Sequence, residues 1–170
     1  MKESILYPCS IEGEWKMGYV NEITNEIVIA PKYYSARGFR DGLAPVKLEY
    51  NGKWGVINEE DCLVIPYKYD EIHYYSEGLM AVKLNNRWGF IDHLDKVIIP
   101  FKYEWASWFS EGLAPVKLYE QYGYINKSNT IVISFQYDWA APFEDGSAEV
   151  ELHDNRFYID KQGKRLVSFW

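Results

Sequence analysis

The sequence predicts an all-β protein assembled from five tandem units. Three observations carry this: a phrase that returns at near-constant spacing, short runs rich in β-branched and aromatic residues, and no apolar stripe of helical period. Gly42-Leu43-Ala44-Pro45-Val46-Lys47-Leu48 returns as Gly78-Leu79-Met80-Ala81-Val82-Lys83-Leu84 and as Gly112-Leu113-Ala114-Pro115-Val116-Lys117-Leu118. An eroded copy begins at Gly146, and the steps are 36, 34 and 34 residues. Such spacing marks a repeat protein. Nowhere does a helical apolar period persist over several turns.

The first element of each unit is that glycine-led stretch. Ala114, Val116 and Leu118 alternate with Pro115 and Lys117, so a strand with one buried face is expected. The second element is Lys53-Trp54-Gly55-Val56-Ile57-Asn58 and Arg87-Trp88-Gly89-Phe90-Ile91-Asp92, with Tyr122 or Met17 replacing the tryptophan in other copies. Trp15, two residues before Met17, is a candidate to fill that place in space. The acid or amide closing this strand (Asn58, Asp92, Asn126, Asp160) suits a turn, because such side chains bond nearby backbone amides.

The third element is a short apolar run: Ile27-Val28-Ile29-Ala30-Pro31, Leu63-Val64-Ile65-Pro66, Val97-Ile98-Ile99-Pro100 and Ile131-Val132-Ile133-Ser134, with Leu166-Val167-Ser168-Phe169-Trp170 in the last unit. Apolar on both faces, it is expected to be the innermost or best-covered strand. A linker then passes Tyr69-Asp70, Tyr103-Glu104 or Tyr137-Asp138 and ends in an aromatic-x-acid-glycine such as Phe109-Ser110-Glu111-Gly112. The units run approximately 7–41, 42–77, 78–111, 112–145 and 146–170, with eroded first and last copies in the role of caps.

Taken together these residues resemble the bacterial WG-repeat (KWG-repeat) family, over residues 7–170 and most closely over 42–126. The resemblance implies tandem β units, usually without an assigned activity, and carries over no catalytic residue. About three short antiparallel strands per unit fit an open, curved array. A five-bladed, propeller-like toroid is the alternative, for which the linker at Asp70–Ser76 leaves room for a fourth strand.

Composition narrows the function. A chain of 170 residues that is 48% apolar and 18% aromatic has enough material for a packed core and is not disordered. Its net charge of −7 disfavours nucleic acid and would complement a basic partner. The N-terminus does not read as a signal peptide, no run is long enough for a membrane span, and Cys9 and Cys62 are far apart; a cytoplasmic protein with reduced thiols is expected.

No catalytic set emerges, so the sequence is read as non-enzymatic, with no cofactor and no metal. His73, His93 and His153 lie far from other ligand types and from one another's repeat positions. The acids Asp41, Glu77, Glu111 and Asp145 precede glycines and are assigned to turns. The tryptophan of each Trp-Gly pair is read as a core wedge between units.

Linker positions differ between units while staying aromatic, which is how a binding face on a scaffold behaves. Trp105, Trp108, Trp139, Tyr74, His73 and Tyr34 are therefore the candidate contact residues for a protein partner. An immunity-type protein that neutralises a basic toxin is one form of this reading. The alternatives are a glycan- or cell-wall-binding module using the same rings, and a purely structural repeat scaffold.

Overall fold

The computed structural model describes residues 5–10 and 15–166, so the fifth copy of the third element, beyond Leu166, lies outside the described residues. The described chain is β-structure and turns throughout. The first sheet holds β1 (Leu6–Ser10), β2 (Met17–Asn21) and β3 (Ile27–Tyr33). The second holds β4 (Ser35–Ala36), β5 (Leu43–Lys47), β6 (Trp54–Asn58) and β7 (Leu63–Tyr69). The third holds β8 (Glu71–Ile72), β9 (Met80–Leu84), β10 (Arg87–Ile91) and β11 (Val97–Tyr103). In the fourth are β12 (Trp105–Ala106), β13 (Leu113–Leu118), β14 (Gln121–Asn126) and β15 (Ile131–Tyr137). The fifth contains β16 (Trp139–Ala140), β17 (Ser147–Leu152) and β18 (Asn155–Asp160).

Every sheet is an antiparallel meander in chain order, and none closes on itself. Three sheets have four strands rather than three. The extra strand is the two-residue piece inside each linker, so each sheet begins several residues before the glycine that opens its sequence unit. Two residues are too few to leave a periodic signal.

The sheets stack face on face. Trp88, Phe90, Ile99 and Tyr103 leave one face of sheet three and meet Ala106, Ala114, Val116 and Ile125 from the opposite face of sheet four. Equivalent clusters join sheets one and two, two and three, and four and five. Contacts run between nearest neighbours, as in a repeat array, and among the described residues no cluster joins the fifth sheet to the first. The free face of sheet five carries Glu149, Glu151, Arg156 and the exposed Tyr158. A polar outer face is what a terminal cap requires.

The glycine of each Trp-Gly pair is dictated by packing against the third strand. A Cβ on Gly89 would lie 2.6 Å from the Ile99 carbonyl oxygen, and one on Gly123 2.7 Å from that of Ile133. Here the third strand bulges: Trp88 faces Tyr103 while Phe90 faces Ile99, so Pro100 to Lys102 loop out. The bulge tolerates Pro66 and Pro100, whose missing amides break no ladder bond.

Two expectations are overturned. The third strand is not the best covered: it is an edge strand of its sheet, and its first two residues, such as Ile27 and Val28 at 53% and 50%, face solvent. Of seven residues only two, Ile65 and Tyr69 in β7, turn into the core. Trp15 is also corrected. It is 68% exposed, and Met17 packs against the core in its place.

Hydrogen bonds tie unit to unit. The Tyr69 hydroxyl donates to Asp95 at 2.6 Å and that of Tyr103 to Asn129 at 2.6 Å; Tyr33 does the same to Asp61. The acceptors sit in turns with positive φ, which Asn and Asp tolerate. Asp41, Glu77, Glu111 and Asp145, each with its glycine, have positive φ at both central positions of a two-residue hairpin, as expected for a turn row. Glu77 and Glu111 do more. Their carboxylates accept the amides of Gly112 and Gly146 in the following sheet and pair with Lys127 and Lys161.

Candidate functional site

The short strands β4, β8, β12 and β16 form one edge of the stack, and the variable linker residues lie along it. His73 follows β8, held by its amide bonding the Ala81 carbonyl. Its imidazole stacks on Trp88 at 4.9 Å and 19°, with Trp105 edge-on at 6.3 Å and Trp108 at 6.0 Å. Trp105 is half-buried and continues the run to Tyr122 at 5.4 Å, whereas Trp108 is 38% exposed. Tyr74 turns towards the preceding unit, where the Arg37 and Arg40 guanidinium carbons lie 5.5 and 5.3 Å from its ring. Arg37 also covers Trp54 at 4.9 Å.

The electrostatics follow from this packing. Burial pushes the His73 imidazole down to about 4, with the Arg37 charge adding to the effect, so the ring is neutral at pH 7. Its Nε2 and the Trp54 Nε1 are both buried without a hydrogen-bond partner. The nearest carboxylate oxygen to Arg37 is that of Glu71 at 4.0 Å, and among the described residues Arg40 makes no ion pair. The edge is thus aromatic and locally cationic in a chain of net charge −7.

Three of the six candidates therefore gather, His73, Trp105 and Trp108, and Tyr74 stands beside them under Arg37 and Arg40. The other two do not join them. Trp139 is half-buried beneath the Arg156 guanidinium, 5.3 Å from its ring. Tyr34 lies at the opposite end of its sheet, 5.3 Å from Tyr50 and 5.9 Å from Trp15. The cause is local. In later units this place holds an acid that accepts hairpin amides, Glu104 from Tyr119 and Glu120, and Asp138 from His153. With tyrosine at 34 the hairpin over residues 48–53 is built differently, closing through the Gly52 amide on the Glu49 carbonyl, and Tyr34 meets Tyr50 instead.

Sequence reasoning missed Arg37 and Arg40, because the search followed aromatics. A signal existed at residue 40. Ser76 and Ser110 occupy that place in the next two units, and their hydroxyls donate to the Phe109 and Phe143 carbonyls of the following unit at 2.7 and 2.6 Å. Arginine there gives up a scaffold bond. No group of three or more His, Cys, Asp or Glu side chains suited to a metal occurs among the described residues.

The WG containing repeat family matches residues 17–54, 54–88, 88–120 and 122–155, which span most of the chain. The chain belongs to that family. Its WG repeats follow the unit spacing, each match beginning on the Trp-Gly strand, at Met17, Trp54, Trp88 or Tyr122. Comparison with curated proteins gives no match. Among solved structures, a eukaryotic initiation factor is similar at 15% identity and a TM-score of 0.60, over 97% of this chain and 52% of that one. Hsv2 of Kluyvelomyces marxianus is similar at 10% identity and a TM-score of 0.54, over 88% of this chain and 57% of that one. Both likenesses concern the fold, which is β-propeller-like, and this chain spans about half the length of either. The four-stranded WG-repeat sheets are blades in that sense.

Proposed function

We propose that this WG-repeat protein is a non-catalytic interaction module that docks a protein partner on its short-strand edge. The observation that carries this reading is the convergence of His73, Trp105 and Trp108, with Tyr74 alongside under Arg37, at places where the repeats differ from one another. A scaffold position repeats because the fold needs it, as Gly55, Gly89 and Gly123 do. A position that varies from unit to unit, and carries a large ring in only some of them, is free to serve something outside the fold. Tryptophan and tyrosine supply large contact area at low entropic cost, which suits a docking face. A toxin-neutralising role is the narrowest form of this reading, and near-stoichiometric retention of a single protein would be its mark.

The test is capture from lysate of the native host by the full chain, beside a Tyr74→Ala/Trp108→Ala variant, read by mass spectrometry. Both side chains are partly exposed, so the variant should keep its thermal midpoint. A protein retained by the parent and lost from the folded variant supports the proposal. Equal retention by both, or retention of nothing by either, overturns it.

A further inference from the structure

Resting on that interaction reading, we infer that the short-strand edge of sheets two to four receives an acidic peptide segment, with a carboxylate seated at Arg37 and Arg40 and an apolar side chain against Trp108. Both guanidiniums are held against one ring, that of Tyr74, at 5.5 and 5.3 Å. A guanidinium is a planar fork suited to bidentate capture of a carboxylate, and contact with the ring limits its freedom. Neither fork is satisfied among the described residues. The Glu71 oxygen stands 4.0 Å from Arg37, beyond hydrogen-bonding distance, and Arg40 makes no ion pair among the described residues.

Apart from Glu71 and the turn residue Asp41 that follows Arg40, the neighbouring acids are committed elsewhere. Asp61 holds Lys32 and the Tyr33 hydroxyl, and Glu77 holds Lys127 and the Gly112 amide. Comparison of the units adds an independent argument. Residue 40 is a serine clasp in the next two units, so its arginine has no part in that tie and leaves its charge at the surface. Beside these cations the wall is uncharged: His73 is neutral, and Trp88, Trp105 and Trp108 surround it. A cationic pair flanked by rings fits an acidic residue next to an apolar one. The site is thus opposite in sign to the chain's net charge, which by itself would favour a basic partner.

The experiment selects random short peptides displayed on phage against the full chain, then measures synthetic copies of the enriched sequences against the parent, Arg40→Glu and Trp108→Ala. Arg37 packs on Trp54, so Arg40, exposed and without a scaffold bond, is the cleaner site to reverse. The expected result is enrichment of Asp or Glu adjacent to aromatic or aliphatic residues. Binding should weaken by about ten-fold or more in Arg40→Glu at an unchanged thermal midpoint, and should weaken with added salt. Enriched peptides that lack acids but lose binding in Trp108→Ala would overturn the acidic inference and leave the docking face standing. Peptides indifferent to both variants, or no enrichment at all, would overturn both.

Discussion

The hydroxyl of Tyr69 donates to the carboxylate of Asp95, 2.6 Å away in the following sheet, and Lys68 reaches the other oxygen of the same group. Burial and this bond hold the Tyr69 phenol well above its ordinary range. Tyr69→Phe should therefore lower stability by about 1.5–2 kcal/mol, the scale of a hydrogen bond to a charged group. Tyr137 is the internal control. Gly163 stands where Asp95 stands one unit on from Tyr69, and no hydrogen bond of the Tyr137 hydroxyl occurs among the described residues. Tyr137→Phe should cost less than about 0.5 kcal/mol. Denaturant midpoints at unchanged slope would check the pair.

Asn129 marks a place where this clasp carries no charge. Tyr103 still donates to it, and Lys102 lies over the Tyr103 ring at 5.0 Å, much as Lys68 lies over Tyr69 at 5.1 Å. Asn129→Asp should thus recruit Lys102 and stabilise the protein by about 0.5 kcal/mol, within the range of exposed ion pairs. The gain should disappear in molar salt, which thermal melts at two salt concentrations would show.

Gly89→Ala should be costly although its backbone angles are open to any residue. The added methyl would stand 2.6 Å from the Ile99 carbonyl oxygen and 3.0 Å from the Phe101 amide nitrogen, both backbone atoms that cannot swing aside. A loss of about 3 kcal/mol is expected. At Gly38 nothing lies within 4 Å of the added methyl, so Gly38→Ala should be neutral or stabilise by about 0.5 kcal/mol through the unfolded chain. Chemical unfolding of both variants separates packing from propensity.

The folded His73 titrates at about 4, below its usual 6.5, chiefly because it is buried. Between those values the unfolded chain binds the proton and the folded chain does not, so stability falls as pH drops from about 6.5 to about 4. The full contribution is about 3 kcal/mol. His73→Phe should remove this share of the acid sensitivity and leave that of the carboxylates. Unfolding midpoints between about pH 4 and pH 7 for parent and variant would show the difference; parallel curves would refute it.

Much of the fold was legible because repetition averages out local ambiguity. The Trp-Gly strand, the turn acids and the spacing each appear several times, and Asp92 and Asn126 do accept the turn amides expected of them. The third strand was misplaced because an apolar run shows that it avoids water without showing how much water remains. The run Val97-Ile98-Ile99 predicts burial for all three residues, yet an edge strand bonded on one side buries Ile99 and leaves Val97 and Ile98 outside. The candidate site was half legible. Rings announced His73, Tyr74, Trp105 and Trp108, but a sequence does not say that Tyr34 will be drawn to Tyr50 or Trp139 covered by Arg156.

The tyrosine clasps all point one way: the donor lies on the earlier unit and the acceptor 28, 26 or 26 residues later. A chain emerging from the ribosome therefore leaves Tyr33, Tyr69 and Tyr103 each waiting until the next unit supplies its acceptor. Synthesis completes each of these three blades one repeat behind its own sequence. Shortening the protein from its C-terminal side past Asn129 would strand a phenol, whereas shortening it from the N-terminal side would merely release a turn residue to water.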